Sequence, residues 1–264
     1  MLIYLSAPGS SGHGSTSQMV SSGNSIKCLK PNPEQNHVTA KGDSSHYFDN
    51  YLWLGPGRNG GSNILFPGDI IPFTRRPLFL IVDSDNSHAF KAGLSKLCTV
   101  LHGAERGEAA ALFLSPLKPS FNKHSGADMA QNGSQFTLFL TTPLQAFCRM
   151  VDCNSSDDDS DVYNDAETIL STAFSEWEVI LCTSTNLDLV WAQLLSDPFL
   201  RRLILRFIFC RAVLALFQES DYQYIPVCLP ELPSSLSPNS KAVQLSIKCL
   251  ANHLKVADCF LFRD

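Results

Sequence analysis

The first 150 residues of this chain alternate between short apolar blocks and polar, turn-rich stretches. Leu78 to Val82 is an unbroken apolar run between Pro77 and Asp83. A run that ends on two β-branched residues predicts a strand buried on both faces, as in a parallel sheet covered by helices. Met1 to Leu5 reads as a strand from its first residue. Ala110 to Leu114 is a second strand candidate stopped by Ser115-Pro116, and Phe136 to Leu140 is a third, followed by Thr141-Thr142-Pro143. Ala89, Phe90, Leu94, Leu97 and Leu101 fall at helical spacing over residues 87 to 101, and Ser84 to Ser87 offers the N-cap. Pro143 suits the first turn of a helix reaching about Met150. Strand, helix, strand, loop, strand, helix is the rhythm of an α/β layer.

After residue 151 the pattern turns helical. Asp165 to Ile180 suits one helix. Asp197-Pro198 is an N-cap followed by proline at the first helical position, and Leu200, Leu203, Ile204, Phe207, Ile208, Val213, Leu214 and Phe217 form a broad stripe behind it. Arg201, Arg202, Arg206 and Arg211 interrupt that stripe. Each arginine costs about 2.5–3.5 kcal/mol at a bilayer centre, so the segment reads as a core helix with surface or paired arginines and not as a membrane span. Pro226, Pro230 and Pro233 mark a linker, and residues 239 to 257 a last helix, with Phe260-Leu-Phe262 beyond it. The expected fold class is α/β: a short, mainly parallel sheet flanked by helices, followed by a helical carboxyl-terminal part. The expected division is an α/β domain over 1–150 and a helical part over 151–264 packed on it. Residues 6 to 63, rich in Ser, Gly, Asn and Pro, read as a flexible insertion, with Tyr47 to Leu54 as an aromatic island that docks on the domain.

Composition narrows the class. With 264 residues, 44% hydrophobic and 17% charged, the chain can bury a sizeable core. A net charge of −5 gives no electrostatic reason to bind nucleic acid directly. Nine cysteines are scattered without a Cys-x-x-Cys pair, which predicts reduced, mostly buried thiols and an intracellular protein. The start at Met1 lacks the features of a signal peptide and reads as that of a fragment or a shortened gene model.

The candidate chemistry centres on Asp83, Asp85 and Ser87, which follow the central strand where open α/β sheets place ligands. An apolar strand followed by Asp-x-Asp-x-Ser resembles the nucleophile motif of haloacid-dehalogenase-type phosphatases, in which the first Asp attacks phosphorus and the second serves as acid/base beside Mg²⁺. Ser87 stands where that family has Thr or Val, and no later strand is followed by its second acidic pair. The segment also comes close to the Asp-x-Ser-x-Ser metal site of von Willebrand A domains, with Asp85 in place of the first Ser. The plainer reading is an Asp/Ser/Asn turn capping the next helix. Asp157, Asp158, Asp159 and Asp161 read as a solvated acidic loop, and Ser156 before them suits an acidophilic kinase. The seven histidines, His88 included, show no metal-ligand spacing, and Ala7 to Gly14 lacks the Lys-Ser/Thr ending of a phosphate loop.

Arg76-Pro-Leu-Phe-Leu-Ile-Val-Asp-Ser-Asp-Asn-Ser87 resembles the hallmark segment of the SCAI family, the suppressor of cancer cell invasion proteins. Leu2-Ile-Tyr-Leu-Ser6, Ser134-Gln-Phe-Thr-Leu-Phe-Leu140, Asp197-Pro-Phe-Leu200 with Arg206-Phe-Ile-Phe-Cys210, and Val256-Ala-Asp-Cys-Phe-Leu261 resemble it in the same order. The likeness is to the carboxyl-terminal half of such proteins. The chain departs from the animal pattern in the insertion at 6–63 and the acidic segment at 153–161. The resemblance implies a transcriptional corepressor of the nucleus, with the cytoplasm as a second compartment, and no enzyme. The animal member of the family is a corepressor that binds myocardin-related coactivators of serum response factor downstream of Rho, and it is linked to chromatin and double-strand-break repair. It implies no catalytic, cofactor or metal residues, so Asp83 and Asp85 inherit no role. The expected partners are transcription coactivators or chromatin proteins. The rival expectation is a metal-dependent phosphohydrolase using Asp83-x-Asp85.

Overall fold

The computed structural model describes residues 1–11, 50–57, 61–91, 110–116, 134–153, 160–218 and 225–262. In chain order the strands are β1 (Leu2–Ser6), β2 (Gly9–Ser11), β3 (Asn50–Pro56), β4 (Ser62–Leu65), β5 (Leu78–Asp83), β6 (Ala110–Leu114) and β7 (Val227–Leu229). The α-helices are α1 (Gln135–Thr141), α2 (Pro143–Met150), α3 (Ser160–Thr183), α4 (Leu189–Leu195), α5 (Pro198–Leu216) and α6 (Lys241–His253). One sheet has the order β1-β5-β6-β7, with β1, β5 and β6 parallel and β7 antiparallel to β6. The mainly parallel sheet with helices is the α/β architecture expected from the apolar blocks.

Every residue of β5 is buried, and the two faces of the strand enter different cores. Phe79 and Ile81, with Ala111 and Phe113 of β6, face the helices. Leu78, Leu80 and Val82, with Leu112 and Leu114, face a second cluster that includes Leu52, Ile70 and Phe90. This is the period of 2 acting on a strand covered on both sides. On the helical face, Phe113 stacks on Phe207 of α5, with ring centroids 3.9 Å apart and planes 7° apart, and lies 5.4 Å from the Trp191 ring of α4.

The second cluster bears out the docking of the aromatic island through Leu52 and corrects the flexible reading of residues 6–63 where strands form. β2, β3 and β4 form a three-stranded antiparallel sheet, and Leu52 on β3 is fully buried. Tyr51 meets Phe66 edge to face at 5.6 Å. Alternation explains Leu52 and Trp53, the first inward and the second exposed, while the pairing with β4 becomes irregular after Trp53 and Leu54 is exposed as well. Tyr47 and the rest of 12–49 lie outside the described residues.

The expected strand Phe136–Leu140 is instead helix α1. Short apolar runs fit either period, and the cap decides here. Ser134 Oγ accepts from Thr137 N at 3.0 Å, and Phe136, Phe139 and Leu140 bury at i, i+3, i+4 spacing. Pro143 opens α2 as expected. The helix expected over 87–101 is described over 88–91, and its remainder lies outside the described residues. The expected last helix over 239–257 is shorter, Lys241–His253, because Leu254 caps it and Lys255 takes a left-handed φ of 58°.

α5 confirms the Asp197-Pro198 start: Asp197 Oδ1 accepts from Phe199 N at 2.8 Å and Leu200 N at 3.0 Å. Replacing Asp197 by alanine should cost about 1 kcal/mol, and by asparagine much less, measured as a shift in urea midpoint. The arginines of α5 are accommodated individually. Arg201 pairs with Glu178 of α3 at 2.9 Å, Arg206 Nη1 donates to Leu140 O of α1 at 2.9 Å, and Arg202 is exposed. Arg206 thus satisfies one of the carbonyls that the end of α1 leaves open. Among the described residues, no helix is long and apolar enough to cross a membrane.

Candidate functional site at the carboxyl end of the parallel strands

Strand parity sends the side chain of Asp83 toward the helices, after Phe79 and Ile81, and only 7% of the residue is exposed. There its Oδ2 accepts hydrogen bonds from Tyr4 OH at 3.1 Å, from Ser134 Oγ and from Thr137 Oγ1. Tyr4 comes from β1, whose register with β5 sets it opposite Ile81. Ser134 and Thr137 are the N-cap and the first turn of α1. A carboxylate at a helix N-terminus is favoured by the peptide dipoles, and hydroxyl donors compensate its burial. The arrangement is a joint between two parallel strands and a helix.

Asp85 and Ser87 serve other contacts. Asp85 Oδ1 accepts from Gly9 N at 2.6 Å and from Ser84 Oγ at 3.3 Å, tying β2 to the turn. Gly9 has no room for a side chain, since a Cβ there would lie 2.1 Å from Asn86 Cβ. Ser87 Oγ donates to Ser115 O at 2.6 Å. Ser84 N donates to Ser115 Oγ and Ser115 Oγ donates to Ser84 O, both at 2.9 Å. The three residues singled out from the sequence therefore do not converge on one point where a phosphorus or a metal would sit. Asp83 holds α1, Asp85 holds β2, and Ser87 locks the turn to the end of β6. The expected Ser/Asp/Asn turn is present, with Ser84 Oγ accepting from Asn86 N at 3.1 Å, and the Ser87 hydroxyl in addition spans to β6. Among the described residues, no three His, Cys, Asp or Glu side chains group as metal ligands. Asp161 lies in the first turn of α3, where its charge suits the helix dipole, and not in a loop. Ser156 and Asp157 to Asp159 lie outside the described residues.

Tyr4, Ser115, Ser134 and Thr137 are the partners that sequence reasoning missed. Ser134 carried a usable signal as a cap residue before an apolar run, but only once that run is read as a helix. Tyr4 and Ser115 carried none, because only strand register brings them to Asp83 and Ser84.

The family model for Protein SCAI matches residues 1–220. The chain belongs to the SCAI family. It is 34% identical over 199 residues to Protein SCAI of Homo sapiens, covering 74% of this chain and 30% of that protein. It is 33% identical over 197 residues to Protein SCAI of Mus musculus, covering 74% of this chain and 30% of that one. It is 32% identical over 198 residues to the Protein SCAI homolog of Dictyostelium discoideum, covering 75% of this chain and 24% of that protein. The match therefore spans under a third of the length of these curated relatives. The joint around Asp83 lies within the span matched by the SCAI model, and α6 lies beyond it.

In this SCAI-family chain the joint has a pH signature. Burial, with the Asp83 carboxylate adding to it, pushes the Tyr4 phenol from its ordinary 10.0 up to about 12. The folded state then holds this proton more tightly than the unfolded chain. Its contribution to stability is complete below pH 10.0 and is lost as pH rises through about 12. The expected result is that Tyr4→Phe flattens the alkaline fall of the urea midpoint over that window. An unchanged fall in the variant would place the titrating group elsewhere.

Proposed function

We propose that this chain is part of a nuclear transcriptional corepressor. It acts by binding coactivators of serum response factor and chromatin proteins, downstream of Rho signalling, and not by catalysis. The observation that carries this reading is the family match over residues 1–220. The separate contacts of Asp83 and Asp85 support the non-catalytic part, because a nucleophile and its acid/base partner have to converge on one target. The net charge of −5 supports reaching DNA through other proteins. No observation favours the phosphohydrolase reading, whose residues point to three separate contacts. The test is co-precipitation of the tagged chain with a myocardin-related coactivator from nuclear extract, repeated with purified components. Retention in both is expected. Failure with purified, folded components would overturn the direct-binding reading.

A further inference from the structure

The end of α2 differs chemically from an otherwise matching end elsewhere in the chain. α2 stops in a Schellman turn: Val151 caps it, Asp152 takes a left-handed φ of 52°, and Cys153 N donates back to Cys148 O at 3.0 Å. This six-to-one hydrogen bond brings together the side chains at its two ends, where an apolar contact is usual. α6 ends the same way, with Lys255 left-handed and Val256 N donating to Ala251 O at 2.8 Å, and there the two ends are the expected apolar pair. At the end of α2 both positions are cysteine, free in this structure and half-buried.

We propose that Cys148 and Cys153 are a reversible dithiol–disulfide site that closes on reaction with a hydroperoxide. The Cys153 thiolate attacks the peroxide, the O–O bond breaks, and an alcohol or water leaves, giving Cys153 sulfenic acid. Cys148 sulfur, its proton lost to solvent, attacks the sulfenyl sulfur. The S–O bond breaks and the hydroxyl leaves as water. Two thiols and one hydroperoxide give one disulfide, one alcohol (water, for hydrogen peroxide) and one water, and two electrons pass from sulfur to the peroxide oxygen.

Three features make this pair distinct among the described thiols. The six-to-one bond from Cys153 N to Cys148 O sets the two cysteines at the two positions of the turn whose side chains ordinarily meet, the nearness a disulfide requires. The Cys148 thiol hydrogen-bonds Cys153, which raises the Cys148 pKa and lowers that of Cys153, so the attacking and resolving roles are already divided. Neither residue is sealed off. By contrast Cys210 is fully buried, and burial pushes its thiol up. Cys182 and Cys249 are exposed without a described cysteine beside them.

The test is direct. The reduced, folded chain is treated with equimolar hydrogen peroxide, alkylated, and cut with trypsin without reduction. Cleavage after Arg149 separates the two cysteines, so closure appears as two peptides joined through sulfur. The expected link forms about tenfold faster in the folded chain than in urea, because the turn fixes the pair and favours the thiolate. Cys153→Ser abolishes it and Cys182→Ser leaves it unchanged. Equal or slower closure in the folded chain overturns the proposal. So does oxidation of Cys153 to sulfinic acid while Cys148 remains free to alkylate.

Discussion

Replacing Trp191 by alanine should destabilise the protein by about 3–5 kcal/mol, the usual range for deleting a large buried aromatic. Trp191 is fully buried on α4. Its ring stacks against Phe113 at 5.4 Å and meets Phe79 edge to face at 6.0 Å, so one side chain joins α4 to both central strands. Its indole Nε1 also donates to Pro230 O at 3.0 Å. Trp191→Phe keeps most of the ring contact but removes that donor, so it should cost about 1–3 kcal/mol. Urea unfolding of the three proteins checks the order. A domain of ordinary stability holds about 5–15 kcal/mol, so the alanine variant should be partly unfolded or insoluble at 37 °C. Equal midpoints for alanine and phenylalanine would mean that Pro230, and not the ring stack, is the contact that matters.

Asp83→Ala is the second large effect expected, about 2–4 kcal/mol. Each hydrogen bond to a buried charged acceptor contributes about 1.5–3 kcal/mol, and relief from burying the carboxylate offsets part of the sum. The loss leaves Tyr4, Ser134 and Thr137 without their shared acceptor and loosens the start of α1. Asp83→Asn keeps one oxygen to accept and should cost about half as much. Hydrogen exchange would place the loosening: faster exchange at Thr137 and Leu138 with α6 unchanged is the expected pattern. Uniform acceleration across the protein would mean that Asp83 supports the whole fold and not this joint.

The sheet was legible in the sequence because its central strand has no polar position to confuse the period. Leu78 to Val82 has to be buried on both faces, and Asp83 then falls on the helical face by count alone. α5 was legible because Asp197-Pro198 marks its start chemically. α1 was misread because Phe136 to Leu140 fits both periods over so short a run, and the decisive cap lies outside it at Ser134. β3 was partly legible: the aromatic island over Tyr47 to Leu54 marked a docking segment, but with Leu52 as its buried residue it gave no run of alternation long enough to read as a strand. The Asp83 joint was half legible. The acid and its strand-end position were visible, whereas its three donors come from residues 4, 134 and 137, brought together only by register and crossover. The expectation of mostly buried thiols also failed. Of the cysteines in the described residues only Cys210 and Cys228 are buried; Cys148 and Cys259 pack against the rim of the core, Cys153 is half-buried beyond the end of α2, and Cys182 and Cys249 are exposed on helix faces.

The account stands most directly on whether this chain represses transcription through other proteins. Fused to a heterologous DNA-binding domain and brought to an active reporter promoter, the intact chain should lower reporter output. The Trp191→Ala variant should lose that effect and Asp83→Asn should largely keep it. Unchanged or raised output from the soluble, nuclear fusion would contradict the corepressor reading.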